Sequence, residues 1–258
     1  MMRNIYLICL TVALSSFLVK AGFASRVKST LRKLGQYDGI PDCYRVGLQK
    51  AETLRDSLDT LRSRDAFFAV ILINMYSNPN CYLFIKRQGG LFNEKLNKEI
   101  QNNYPRDANS RLWIQVGNLV NKAIELLGMK TYQVVYRGCL HNPDLSRSEF
   151  SFRRITSTSM NPQVADFYTG CETFIMIEDA RGLDMHRYSQ IPDEAEIILQ
   201  STNIYLIEEY TRNKTEIREK LEKVLPGMQQ VKLFVRLRQI HRRNFISRLI
   251  GNILRTSQ

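Results

Sequence analysis

The stretch Asp193-Glu194-Ala195-Glu196-Ile197-Ile198-Leu199 places two carboxylates, separated by one alanine, at the beginning of an apolar run. The run has the composition of a β-strand, and side chains at i and i+2 of a strand point to the same face. Glu194 and Glu196 therefore either lie side by side on one face or straddle a loop-to-strand junction, aimed into one site. Like charges this close raise at least one pKa unless a cation lies between them. The pair therefore marks a candidate functional site.

Two upstream segments end in polar residues that suit the same site. Val134-Val135-Tyr136-Arg137-Gly138 is a β-branched and aromatic run that ends in Arg-Gly, and Ile155-Thr156-Ser157-Thr158-Ser159 is a second run that ends in Ser-Thr-Ser. Taken alone, each has an ordinary explanation, as a surface arginine, a polar edge strand or a solvated acid. Their shared position at the ends of strand-like runs favours a common site.

The order Arg … Ser-Thr-Ser … Glu-x-Glu resembles the signature of the arginine-specific mono-ADP-ribosyltransferases, which include the vertebrate ecto-enzymes and the binary actin-modifying toxins. The resemblance covers roughly residues 132–210. It implies an α+β fold in which an N-terminal helical lobe packs on a mixed β-sandwich, with an NAD cleft between two sheets. It also implies an enzyme that transfers ADP-ribose from NAD to arginine side chains of a target protein and releases nicotinamide.

The resemblance gives each of four catalytic candidates a role. Arg137 would clamp the NAD pyrophosphate, because a guanidinium binds phosphate oxygens bidentately and stays charged. Glu196 would stabilise the oxocarbenium-like transition state of glycosidic cleavage and hold the ribose 2′-hydroxyl, while Ser157 holds Glu196 in one rotamer. Glu194 would face the incoming guanidinium of the substrate arginine.

The NAD-binding residues that the resemblance implies are Arg137, Gly138, Ser157, Thr158, Ser159, Phe167 and Tyr168. Gly138 lets a ligand approach the backbone closely. Phe167 and Tyr168 lie where the family places an aromatic ring beside the nicotinamide, although packing beneath their loop explains them equally well. Some toxins carry a phosphate-binding arginine just beyond, where this chain has Thr169-Gly170-Cys171. The second phosphate contact is therefore unassigned. NAD is expected as substrate, and no metal is expected, since the three histidines are scattered.

The turn before the glutamates recognises the protein substrate in the family. Tyr188 and Ile191 are the candidates for exposed apolar residues in this turn. Ile191 occupies a place where several toxins carry an aromatic residue, so the identity of the target protein does not follow from the resemblance.

The hydrophobic pattern of the chain changes near Lys130. Before it, apolar residues recur at helical spacing and predict helices within residues 45–75, 91–100 and 112–127. After it, runs rich in Val, Ile, Phe and Tyr predict strands at 133–136, 155–157, 173–177, 195–199, 204–208 and 231–237. A charged helix is expected at Lys214–Val224.

We therefore expect one domain over residues 25–258. It comprises a helical lobe at about 30–130, a β-sandwich core at about 131–240 and a basic C-terminal helix at 241–258. No Walker or Rossmann glycine motif is present, so NAD would bind without the usual dinucleotide fingerprint.

Residues 1–24 have the features of a signal peptide. Arg3 supplies a positive start, an apolar run follows, and Ala21 or Ala24 offers a small residue for cleavage. We therefore expect a secreted, extracellular protein.

Cysteine usage fits an oxidising compartment. Removal of the signal peptide would leave Cys43, Cys81, Cys139 and Cys171, an even number. Four cysteines permit three pairings, which the sequence does not distinguish, and we favour Cys43–Cys81 with Cys139–Cys171.

The chain is basic, with a formal net charge of +12 at pH 7. Towards the C-terminus, aliphatic residues interleave with the arginines Arg236, Arg238, Arg242, Arg243, Arg248 and Arg255. A basic amphipathic helix of this kind can bind an anionic surface, and a terminal helix docked on the domain with solvated arginines is the alternative. We expect a target protein with an exposed arginine as partner, no nucleic-acid partner, and a monomer.

Two other functions remain open. The first is an NAD glycohydrolase that uses water as acceptor, against which only Glu194 argues. The second is a non-catalytic basic binding module, against which the intact set of Arg137, Ser157 and Glu196 argues.

Overall fold

The computed structural model describes residues 22–35, 40–55, 63–78, 81, 92–102, 107–139, 143–167, 172–189, 191–226 and 230–241. Four predictions concern parts of the chain that are not described: most of the signal peptide, the Cys139–Cys171 disulfide, the aromatic side chains of Phe167 and Tyr168, and the basic helix beyond His241.

Five of the described α-helices precede Lys130 and form the N-terminal lobe. They are α1 (Phe23–Leu34), α2 (Ile40–Arg55), α3 (Arg64–Ser77), α4 (Phe92–Asn102) and α5 (Ala108–Leu126). Two more follow within the sheet region, α6 (Pro162–Phe167) and α7 (Lys214–Glu222). The predicted helical lobe and the predicted charged helix are therefore confirmed.

Helix α3 is the centre of the lobe and packs against α1, α2, α4 and α5. Its N-terminus is capped by Ser63 Oγ, which accepts a hydrogen bond from the Ala66 amide at 3.0 Å. Nearly every side chain from Ala66 to Tyr76 is buried, as expected for a helix that is apolar on all sides. The predicted disulfide between Cys43 and Cys81 is present, with Cα atoms 5.1 Å apart, and it ties α2 to the chain just beyond α3.

Seven strands are described, and they form one mixed sheet in the order β1-β3-β5-β4-β7-β6-β2. Their bounds are β1 (Lys130–Cys139), β2 (Glu149–Phe150), β3 (Thr156–Ser159), β4 (Thr173–Asp184), β5 (Glu196–Leu199), β6 (Tyr205–Thr211) and β7 (Leu233–Gln239). Only β4 and β7 pair in parallel. All six predicted strands are confirmed, and so is the α+β fold class.

Strand β4 joins the two parts of the sheet. Along most of its length it pairs with β1 and β7, and its last three residues, Gly182–Asp184, also pair with β5. Side chains of β1, β4, β5, β6 and β7 meet in one apolar cluster, the sandwich core, which includes Val135, Ile177 and Leu237. The two predicted sheets are therefore hydrogen-bonded to each other through β1 and β4.

Strand β5 is buried on both of its faces. Ile197 and Leu199 belong to the sandwich core, whereas Ile198 belongs to the cluster formed by the helical lobe. Because side chains alternate along a strand, Glu196 lies on the same face as Ile198. That face is the one that meets the helical lobe.

Two basic residues that the sequence placed in the C-terminal basic run lie on β7 instead. Arg236 Nε is 3.3 Å from Glu209 Oε2, and Arg238 Nη2 is 3.3 Å from Glu178 Oε2. Arg238 also pairs with Glu208 at 3.4 Å. Their charges are balanced on the sheet, so they do not contribute to a free basic surface.

The position of α1 bears on the predicted signal peptide. Phe23 and Ala24 are 4% and 2% exposed in the core of the lobe. Cleavage after Ala21 would leave α1 whole, whereas cleavage after Ala24 would remove two core side chains. Across the described ranges, no helix combines the length and apolar character that crossing a bilayer requires.

We expect Gly182→Ala to lower the free energy of unfolding by about 1–3 kcal/mol, the usual cost of overpacking. A Cβ at Gly182 would lie 2.8 Å from the Ile198 carbonyl oxygen and 2.6 Å from Ile197 Cγ2. The backbone oxygen can give way only if β5 shifts. Urea unfolding measures the change.

Gly117→Ala is the matched control. Its added Cβ would meet the end of the Ile100 side chain, the nearest atom being 2.5 Å away, and that side chain can rotate. Alanine also gains about 1 kcal/mol over glycine within a helix. Equal losses of stability in the two variants would contradict the tight contact between β4 and β5.

Candidate active site

A cleft of about 670 Å³ opens between the helical lobe and the ends of β1, β3 and β5. All four catalytic candidates, Arg137, Ser157, Glu194 and Glu196, line it. The sheet brings them together because β3 lies between β1 and β5, with Ser159 opposite Tyr136 on one side and opposite Glu196 on the other.

Glu196 is the first residue of β5 and is half-buried in the cleft wall. Ser157 lies diagonally across from it on β3, on the same face, and its hydroxyl donates a hydrogen bond to the Glu196 carboxylate. Burial, and after it the charge of Glu194, raises the pKa of the Glu196 carboxyl to about 7, against the lowering effects of the Ser157 hydrogen bond and of Arg137. The carboxyl is therefore poised to change its charge near neutral pH.

Glu194 and Glu196 straddle a loop-to-strand junction, which is the second of the two arrangements open from the sequence. A 3₁₀ turn over Pro192–Glu194 ends at Ala195, which adopts the left-handed conformation with φ 45° and ψ 41°. A non-glycine residue there costs on the order of 1 kcal/mol. The two carboxylates consequently reach the cleft from different backbone directions.

Three hydrogen bonds fix this junction, one to each of three consecutive carbonyl groups. Ser159 Oγ donates to the Glu194 carbonyl at 2.7 Å, and the Met160 amide donates to the Ala195 carbonyl at 3.1 Å. The Met185 amide donates to the Glu196 carbonyl at 2.9 Å. Ser159, predicted as an NAD-binding residue, therefore uses its hydroxyl to hold the backbone of the glutamate pair.

The Arg137 side chain extends from β1 towards Ser157 on β3. Its Nη1 donates to the Ser157 carbonyl oxygen at 2.5 Å, and its guanidinium carbon lies 5.9 Å from the centre of the Phe152 ring. A guanidinium has five N–H donors in a planar fork, so a bond to one carbonyl is compatible with binding a phosphate as well. Both contacts fix the direction in which the positive charge points into the cleft.

The other predicted NAD-binding residues differ in how the structure places them. Gly138 and Thr158 line the cleft, but Thr158 is buried and its hydroxyl donates to the Ile197 carbonyl at 2.7 Å. That hydroxyl is committed within the sheet. Phe167 is the last residue of α6, and its side chain, like all of Tyr168, lies outside the described part of the chain.

Of the two apolar candidates in the turn before the glutamates, only Ile191 is exposed, at 45%. Tyr188 is 7% exposed. Its amide donates a hydrogen bond to the Met185 carbonyl, and its ring packs in the core of the helical lobe. The expectation of an exposed Tyr188 is therefore wrong.

The helical lobe supplies two site residues that sequence reasoning missed. Tyr76, at the end of α3, is 3% exposed, and its hydroxyl donates to the Ile155 carbonyl at 3.0 Å. Asn97 on α4 donates to the Tyr76 hydroxyl at 3.3 Å and accepts from the Ile155 amide at 3.1 Å. Burial, and after it the charge of Glu196, raises the pKa of Tyr76. These bonds attach the start of β3, and with it Ser157, to the lobe.

The cleft is lined by hydrogen-bonding and charged groups. Within the described ranges, no three His, Cys, Asp or Glu side chains are grouped so that they could hold a metal ion.

No protein-family model matches the chain, and neither does any curated protein sequence. Solved structures do match. The type III effector XopAI from Xanthomonas axonopodis pv. citri superposes with a TM-score of 0.57 at 14% identity, over 86% of this chain and 89% of that one. The eukaryotic mono-ADP-ribosyltransferase ART2.2 gives a TM-score of 0.56 at 13% identity, over 84% and 86%. A mutant of ART2.2 in complex with NAD gives 0.54, over 81% and 82%. The chain therefore has the ADP-ribosyltransferase fold.

Proposed function

We propose that this protein is an NAD-dependent mono-ADP-ribosyltransferase that modifies arginine side chains of a target protein. The observation that carries the proposal is the convergence of Arg137, Ser157, Glu194 and Glu196 in one cleft of this fold. The fold is shared with ART2.2, which is a mono-ADP-ribosyltransferase and whose mutant binds NAD. The sequence pattern indicates the four residues, and the fold forms the cleft that they line, so the proposal has two separate lines of support.

The cleft suits a dinucleotide in size and in charge. Its volume of about 670 Å³ lies within the usual range of ligand pockets, about 300–1,000 Å³. Arg137, fixed by Ser157 and Phe152, offers a rigid guanidinium for a phosphate group. Gly138 follows directly in β1 and lines the cleft, so a ligand can approach the backbone beside the phosphate.

In this proposal, Glu196 acts on the bond that breaks. In NAD, the ribose C1′–nitrogen bond breaks, its electron pair leaves with nicotinamide, and positive charge develops on the ribose. An ionised carboxylate held beside the ribose stabilises that charge. The Ser157 hydroxyl keeps the Glu196 carboxylate in position and favours its ionised form.

In this proposal, Glu194 acts on the acceptor. An arginine guanidinium between Glu194 and Glu196 would relieve the repulsion between the two carboxylates. The acceptor nitrogen then forms a bond to C1′ and loses one proton, for which Glu194 is the base. Exposed residues 191–193 lie directly before Glu194 and would border the target protein.

We further propose that the protein is secreted. The support is the disulfide between Cys43 and Cys81, because disulfides persist in oxidising compartments and are rare in the cytosol. The apolar start of the sequence agrees with export.

The test of the proposed function separates the two glutamates. We expect Glu196→Ala to lower the rates of both arginine transfer and NAD hydrolysis by a factor on the order of 10²–10³. Glu194→Gln should lose transfer and keep measurable hydrolysis, because an amide cannot serve as the base and binds a guanidinium poorly. Labelled NAD with agmatine as acceptor measures both products.

Glu222→Ala is the control, because Glu222 is exposed at the end of α7 and is not among the residues that line the cleft. Full hydrolysis by Glu196→Ala would contradict the role of Glu196. Absence of both products in the wild type would favour the non-catalytic binding module, and hydrolysis without any transfer would favour the glycohydrolase.

The pH dependence of hydrolysis provides a second test. A carboxyl with a pKa of about 7 is mostly protonated at pH 6 and mostly ionised at pH 8, so kcat/KM should rise between these values. Glu194→Gln should move the midpoint to lower pH, because the negative charge of Glu194 raises the pKa of Glu196. Ser157→Ala should move it to higher pH, because a hydrogen bond that favours the ionised form is lost. Shifts of the same sign in both variants would contradict this assignment.

Arg137→Lys should weaken NAD binding by at least about tenfold although the positive charge is kept, because an ammonium cannot form the bidentate contact. Isothermal calorimetry measures the dissociation constant. Arg181→Lys, an exposed position on β4, is the control. Equal affinities of the wild type and Arg137→Lys would place Arg137 outside the binding site.

A further inference from the structure

The segment between β2 and β3 bends sharply at Arg153, which has a left-handed φ of 50°. Such a conformation costs on the order of 1 kcal/mol for a non-glycine residue. The bend sends neighbouring side chains to different surroundings: Phe152 enters the sandwich core, Arg153 is exposed, Arg154 is half-buried in the wall of the cleft, and Ile155 enters the core of the lobe.

Helix α4 holds this bend on both sides of Arg154. Gln101 Nε2 donates to the Phe152 carbonyl at 3.4 Å, and Asn97 Oδ1 accepts from the Ile155 amide at 3.1 Å. Backbone strain persists only where the surrounding structure fixes it, and it concentrates at functional sites. The backbone at Arg154 is therefore held in place, because Phe152 is buried in the sandwich core and Ile155 is buried in the core of the helical lobe.

The Arg154 guanidinium shares the cleft with the carboxylates of Glu94, Glu194 and Glu196 but forms no ion pair with them, so far as the structure describes the chain. No carboxylate of the described ranges forms an ion pair with its guanidinium. Arg236 and Arg238, on the sheet, show the contrast, because both are paired with glutamates. A half-buried guanidinium that faces a ligand-sized cleft is suited to bind an anion of the ligand.

A diphosphate group presents two negatively charged phosphates, and a single guanidinium can engage only one of them bidentately. Arg137 accounts for one. The sequence after the Ser-Thr-Ser strand, Thr169-Gly170-Cys171, offers no second cation. The fold brings Arg154 to the same cleft. In the chain, Arg154 precedes β3 and Ser157, whereas Thr169-Gly170-Cys171 follows them.

We propose that Arg154 is the second phosphate-binding residue of the cleft and that, together with Arg137, it clamps the diphosphate of a dinucleotide. The inference rests on the proposed function for the identity of the ligand. The anion site itself rests on the bend, on its two hydrogen bonds with α4 and on the absence of an ion pair to Arg154 within the described residues.

The experiment compares two adjacent arginines. Arg154→Ala should raise the dissociation constant of NAD by about 10- to 100-fold, the usual effect of losing a charged hydrogen bond. Arg153→Gly is the matched control, because it removes the same charge one residue away and glycine accepts the left-handed φ without strain. Its NAD affinity should stay within about threefold of the wild type. Calorimetry with NAD, inorganic pyrophosphate and adenosine measures the three ligands separately.

The three ligands distinguish the possible failures. Adenosine, which lacks phosphate, should bind equally to the wild type and to Arg154→Ala; a loss with adenosine as well would show a structural defect and overturn the inference. If the wild type binds and cleaves NAD but Arg154→Ala binds it as well as the wild type does, the inference is wrong and the proposed function stands.

The reverse outcome is also distinguishable. If the wild type binds pyrophosphate through Arg154 but neither binds nor cleaves NAD, the anion site stands and the proposed function fails. Equal losses of NAD affinity in Arg154→Ala and Arg153→Gly would show general charge attraction and overturn the inference. If Arg154→Ala does not fold, as judged by thermal unfolding, Arg154→Gln keeps the aliphatic stem and provides the same comparison.

Discussion

The candidate site depends on the burial of β5 on both of its faces. Ile197 and Leu199 anchor the strand in the sandwich core, and Ile198 anchors it in the helical lobe. A shift of one residue would exchange these faces and bury the carboxylate of Glu196 among apolar side chains. The apolar contacts on both sides therefore fix the register, and the register decides that Glu196 opens into the cleft.

The helical lobe is more than a cover for the sheet. Through Tyr76 and Asn97 it holds the backbone at Ile155, and through Asn97 and Gln101 it holds the bend before β3. A buried hydrogen bond is costly to leave unmade, so these contacts define one docking position of the lobe against the strands. The distance between the two walls of the cleft is consequently set by directed bonds as well as by apolar packing.

Much of the fold and most of the site could be predicted from the sequence, because the relevant signals are local. The Arg-Gly and Ser-Thr-Ser residues lie towards the ends of apolar strands and the Glu-x-Glu pair lies at the start of one, and the structure brings them to one cleft. The left-handed turn at Ala195 was not predictable, because alanine carries no signal for positive φ. The double pairing of β4 was also hidden, since a long strand does not show which segments of it meet which partner.

The residues missed by the sequence are those whose role depends on distant neighbours. Tyr76 lies near the end of a continuous apolar helix and has the pattern of a core residue, and its hydroxyl acquires its role only through its hydrogen bond to the Ile155 carbonyl, directly before β3. Arg154 is one arginine among many in a chain of net charge +12, and its surroundings distinguish it where its identity does not. For Tyr188 the prediction of exposure was wrong, because an aromatic residue in a turn can pack inward when the turn lies against a helical lobe.

The three bonded carbonyl groups of residues 194–196 have an evolutionary consequence. Residues 191–193, which come directly before this junction, have exposed side chains and bond to it through backbone groups: the Glu194 amide donates to the Ile191 carbonyl, and the Ala195 amide donates to the Pro192 carbonyl. Substitutions at these three positions change the surface beside Glu194 without touching the bonds that hold the junction. On the proposed function, divergence in the choice of target can proceed at these positions, where selection on bond cleavage exerts little constraint, so that one inherited reaction centre would be redirected between targets by few substitutions.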